Sequence, residues 1–81
     1  MVTCAQHDYI EIACLYQISV CLELEHGEFV KGIALDTAYD QQKRHCILIN
    51  TDEGDQWIPI DSLCAMHAMS KNPHFSEIYF Q

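Results

Sequence analysis

Eighty-one residues provide for one domain spanning 1–81, and a chain this short buries only about 60–65% of its unfolded surface. Apolar residues make up 49% of it, too many for a disordered chain, yet no apolar run approaches the ~20 residues of a membrane span. Twelve acidic residues against four basic ones give a formal charge of −8, which argues against a generic grip on nucleic-acid phosphates and for a basic protein partner.

The N-terminus, Met1 to Gln6, has no basic region followed by an apolar one, so no secretion signal is expected. A reducing compartment follows, in which the five cysteines are free thiols; Cys14, Cys21 and Cys46 sit in apolar patterns and read as small core residues. From Asp8 to Tyr16, Ile12, Leu15 and Tyr16 recur at helical spacing. Asp8 stands where an N-cap is expected and Glu11 three residues on, as in a capping box. The spacing predicts a helix of two or three turns.

The period then changes to two. Ile18, Val20, Leu22 and Leu24 share one face of a first strand, Glu25–Glu28 forms a turn, and Phe29–Leu35 begins a second strand. Gly32 inside that strand predicts a bulge or sharp bend. Asp36–Arg44 is expected to be a loop or a long hairpin tip. His45–Asn50 follows as a third strand, Thr51–Asp55 as an acidic turn and Gln56–Ile60 as a fourth strand, with Pro59 at an edge or strand end. Asp61–Leu63 reads as one helical turn, Cys64–Met69 as a short fifth strand and Ile78–Phe80 as a further one. The closing Tyr79-Phe80-Gln81 also resembles the remnant of a protease site. One helix followed by five closely spaced strands argues for a small, mainly β barrel of the α+β type.

Two stretches carry a family resemblance. Val20-x-Leu22-x-Leu24-x-x-Gly27, continued by Gly32-x-Ala34-Leu35-Asp36, is similar to the first motif of Sm and Hfq-like proteins. That implies an N-terminal helix capping a strongly bent antiparallel barrel of five to six strands. Cys4-x-x-x-Asp8-x-Ile10-Glu11-Ile12-Ala13-Cys14, with Leu22-Glu23-Leu24-x-x-Gly27-Glu28 and Ile60-Asp61-x-Leu63, resembles the Rof (YaeO) family of Rho-binding antiterminators. The resemblance spans about Cys4 to Leu63 and is poor between Thr37 and His45.

What it implies is a cytoplasmic bacterial regulator that binds termination factor Rho at the primary RNA-binding site of its N-terminal domain and so keeps RNA from loading. An acidic protein complements a basic RNA groove. Because the family's helix faces Rho, Asp8 and Glu11 are the expected contacts. Where close relatives carry an acidic pair after the first cysteine, this chain has Ala5 and Gln6, and His7 and Tyr9 are expected to add contact area.

Other chemistries are weaker. Cys4-x-x-His7 and Cys64-x-x-His67 offer two soft-ligand pairs, but neither has a knuckle glycine, and Cys64 and His67 point to opposite faces of a strand. No metal or other cofactor is expected. No nucleophile motif is present, so the protein is expected not to be an enzyme. Trp57 reads as core or edge packing, with RNA stacking the lesser reading. The alternatives are an Sm/Hfq-like RNA-binding module, for which four basic residues are few, and a scaffold domain with an unrelated partner. A tail that covers an edge strand predicts a monomer.

Overall fold

The computed structural model describes residues 4–80. One helix, α1 (Cys4–Leu15), precedes strands β1 (Ser19–Leu24), β2 (Phe29–Tyr39), β3 (His45–Thr51), β4 (Gly54–Pro59), β5 (Leu63–Ala68) and β6 (Glu77–Tyr79), with a single 3-10 turn at Ile60–Ser62. All strand pairings are antiparallel, in the order β4-β3-β2-β1-β5-β6. This is the helix-plus-bent-sheet arrangement the sequence predicts. Among the described residues β4 and β6 do not pair, so the barrel is open.

The helix starts earlier than its periodicity suggests. Asp8 lies in the second turn, not at an N-cap, and no acidic residue occupies the first turn, so the capping-box reading of Asp8 and Glu11 is corrected. The buried face also differs from expectation. Ile10 and Ala13 are fully buried, while Leu15 and Tyr16 are exposed. The reason is the register of the packing: Ile10 and Ala13, one turn apart, meet the core, with Tyr9 and Ile12 packed at its margin. The helix ends in a Schellman arrangement. The Ile18 N–H donates to the Ala13 carbonyl at 2.9 Å and the Gln17 N–H to Cys14 at 3.2 Å, with Gln17 in the left-handed region at φ 51°.

In β1 burial alternates as the period of two requires, with Val20, Leu22 and Leu24 inward. Ile47 and Ile49 of β3 join them, as do Ile58, Leu63 and Met66. Each such side chain contributes about 1.5–3 kcal/mol through burial. Cys46 is buried, whereas Cys14 and Cys21 are only partly so.

β2 is longer than the hydrophobic pattern indicates. It runs through Tyr39, so Asp36–Tyr39 is strand and only the remainder of the 36–44 segment turns. Its pairing with β3 shifts between Ala34 and Asp36, leaving Leu35 without a partner in register. Gly32 sits just before that bulge, where a Cβ would run into the Asn50 carbonyl and the Ile49 side chain. The glycine is required there by close approach of β3, and together with the bulge it lets the sheet curl.

The tail is part of the fold. β6 pairs along the outer edge of β5, the Phe80 N–H donates to the Cys64 carbonyl at 2.8 Å, and Phe75 and Phe80 enter the core. The Asn72 side-chain oxygen accepts from the His74 and Phe75 N–H groups at 2.8 and 3.1 Å. That turn aims Phe75 inward and places His74 against Tyr16, ring centroids 4.5 Å apart.

Candidate functional site, an acidic groove between helix and sheet

Asp8, Glu11, Ile12 and Leu15 fall at spacings of three and four on α1 and therefore form one stripe. Ile10 and Ala13, on the other side of the helix, are buried in the core, while this stripe borders β2 at its bulge. Between them lies an open groove of about 870 Å³, lined from the helix by Asp8, Glu11, Ile12, Cys14 and Leu15 and from the strand by Leu35, Asp36 and Thr37. Three carboxylates thus converge on a partly apolar floor. Asp8, Glu11 and Asp36 are all exposed, and none has an ion-pair partner among the described residues. An uncompensated cluster of this kind favours cationic ligands.

The Cys14 thiol registers that field. Burial, then the Asp36 carboxylate, then Glu11, push it from 9.0 up to about 11. At neutral pH it is a protonated thiol, which makes it a poor nucleophile.

Of the residues singled out from sequence, the structure brings Asp8 and Glu11 together and places the other two elsewhere. His7 is half-buried and stacks on His45, centroids 5.2 Å apart. Tyr9 meets Phe75 edge-on at 6.1 Å. Both tie the helix to its neighbours and neither lines the groove. Asp36 is the site residue that sequence reading missed. It closes the Gly32-x-Ala34-Leu35-Asp36 motif, yet it also opens the polar segment expected to be a loop or a long hairpin tip, whereas the structure holds it in β2.

His67, one of the soft-ligand residues, faces Glu77 at 3.2 Å and Glu23 at 3.9 Å. The described residues contain no group of three or more His, Cys, Asp or Glu side chains placed to hold a metal ion. No described helix is long and apolar enough to cross a membrane.

A helix laid over an open, bent antiparallel sheet, with an acidic groove where the two meet, defines a small acidic surface module of the α+β class. The chain belongs to the ROF family, described as modulator of Rho-dependent transcription termination, whose profile matches residues 1–80. It is also similar to the solved structure of YaeO bound to magnesium from Vibrio cholerae O395. The two are 42% identical with a TM-score of 0.89, over 91% of this chain and 96% of that one. Comparison with curated proteins gives no match. The family is thus one of regulators of Rho-dependent termination.

Proposed function

We propose that this protein inhibits Rho-dependent termination by binding Rho at the primary RNA-binding site of its N-terminal domain, in the bacterial cytoplasm and as a monomer. The observation that carries the reading is the convergence of Asp8, Glu11 and Asp36 on one groove without internal counterions. A site built to hold RNA phosphates is rich in Lys and Arg, and carboxylates on a firm scaffold compete for the same cations. The half-apolar floor of Ile12, Leu15 and Leu35 gives the contact a dry centre. His7 and Tyr9 act mainly by fixing the helix, with His7 contributing at the margin of the contact. The action is occlusion, and no covalent chemistry is involved.

The test is a termination assay with purified Rho on a template carrying a Rho-dependent terminator, run beside displacement of a labelled cytosine-rich oligonucleotide from Rho. Read-through and displacement should rise together with protein concentration. Read-through with the oligonucleotide still bound would refute occlusion of that site.

A further inference from the structure

Tyr39 ends a row of three stacked rings. His7 of α1 lies 5.2 Å from His45 with the planes 10° apart, and His45 lies 4.6 Å from Tyr39 at 14°. Even with His45 stacked on it, Tyr39 remains 70% exposed. Tyr39 and Trp57, itself 52% exposed, line a second pocket of about 360 Å³ together with Ala38, Cys46 and Asp40. By the register of the ladder Ala38, Cys46 and Trp57 share the face that opens on this pocket, and Tyr39 borders it at the strand end. Two large aromatic side chains stay wet here, on a wall held in place by the β2–β3–β4 ladder.

The polar chemistry of the pocket is equally specific. Its one charged lining residue is Asp40, and the neighbouring Lys43 and Arg44 lie outside it. Asp40 accepts the Gln42 and Arg44 N–H groups at 2.9 and 2.8 Å and the Arg44 Nε at 2.7 Å. Those bonds fix the carboxylate at the turn. The Arg44 backbone bond foremost, with the Arg44 side chain and the Gln42 N–H, also holds it below the usual carboxylate range, so it is anionic at neutral pH.

We propose that this pocket takes an arginine side chain from a basic protein partner, its guanidinium stacked on Trp57 with Tyr39 at its border and its charge directed to Asp40. The inference deepens the reading given under Proposed function and rests on it for the partner, adding a second anchor beside the acidic groove. A guanidinium is planar and weakly hydrated, and it binds aromatic faces, tryptophan best, better than a compact ammonium does. The exposed Asp40–Arg44 pair contributes little, so an incoming guanidinium shares or replaces Arg44 on the carboxylate at small cost. A nucleotide fits less well, because its phosphate meets a chain of charge −8 and a pocket whose lining charge is negative.

Trp57 is the chain's only tryptophan, so its emission reports on the pocket directly. The intact protein is titrated with the peptide acetyl-Gly-Arg-Gly-amide, with the same peptide carrying neutral citrulline, and with cytidine monophosphate. The arginine peptide should give a saturable change. Its affinity should fall by about threefold to thirtyfold in Tyr39→Ala and by a similar factor for citrulline. A response no stronger for arginine than for citrulline overturns the proposal. A stronger response to cytidine monophosphate also overturns it and makes the pocket a nucleobase site. In parallel, Tyr39→Ala/Trp57→Ala, checked for native circular dichroism, should bind Rho at least threefold more weakly. If that variant binds Rho as the wild type does, the pocket is no anchor and the groove reading stands. If the wild type itself does not bind Rho, the groove reading falls, and the peptide titration still decides the pocket.

Discussion

Asp36, on the strand side of the groove, and Cys14, on the helix side, face one another closely enough that the carboxylate acts on the thiol. Burial is the larger cause, but Asp36 and then Glu11 add to it, and together they push the thiol up to about 11. The cysteine is therefore a chemical gauge of how tightly the acidic cluster is drawn together.

Cys14 should react slowly with iodoacetamide at pH 8, more slowly than an ordinary exposed thiol. Asp36→Asn and Glu11→Gln should each speed the reaction, Asp36→Asn the more, since each removes a charge that opposes the thiolate. Because the folded-state value is raised above 9.0, the associated stability is fully present below pH 9. It is lost as pH rises toward 11. Rates measured by mass spectrometry on a peptide containing Cys14 settle the point, and equal rates in wild type and Asp36→Asn would contradict the geometry.

Gly32 tests the bend. Any β-branched side chain there collides with the Asn50 carbonyl and Ile49, so Gly32→Val should cost about 1–3 kcal/mol in urea unfolding. The groove depends on the bulge three residues later, at Leu35, so the same variant should also lose Rho affinity. Gly27→Ala, in a turn where a Cβ meets open space but φ is +90°, should cost less, about 1 kcal/mol, and leave binding intact.

The tail guards an edge. β6 pairs with β5, while Gln6 reaches across to the Tyr79 carbonyl at 2.6 Å and Phe80 plugs the core. Ending the chain after Ser70 exposes the β5 ladder and removes Phe75 and Phe80. Such a truncation should self-associate in light scattering, while the full chain should run as a monomer. A truncated chain that stays monomeric and folded would show that β6 has no guarding role.

Much of this architecture is legible in the residues. The alternation of Val20, Leu22 and Leu24, the glycines at 27 and 32, and the strand-ending Pro59 fix the sheet because period and turn chemistry are local properties. The buried face of the helix is not legible locally, because Ile10, Ile12, Ala13 and Leu15 are all apolar enough to be core. The choice between them is made by the packing of the helix on a core assembled from segments distant in sequence. Asp36 was missed for a related reason. The polar run expected to be a loop or a long hairpin tip is strand through Tyr39, with Asp36 and Thr37 opposite Leu48 and Ile47, and beyond the bulge at Leu35 Asp36 borders the groove with the helix. Asp8 and Glu11 are reached through the family resemblance, and their spacing of three then puts them on one stripe of the helix. The stacked row of His7, His45 and Tyr39 was not, since it joins two elements whose meeting no local pattern encodes.

The central claim, that the groove rather than overall acidity engages Rho, is tested most directly by a charge-matched comparison in the oligonucleotide displacement assay. Asp8→Lys/Glu11→Lys is set against Glu25→Lys/Glu28→Lys, which makes the same change in net charge in the β1–β2 turn at the far end of β2. The groove variant should lose affinity for Rho by tenfold or more, while the turn variant stays within about threefold of wild type. Equal losses in both would mean that Rho reads only the net charge and would contradict the account.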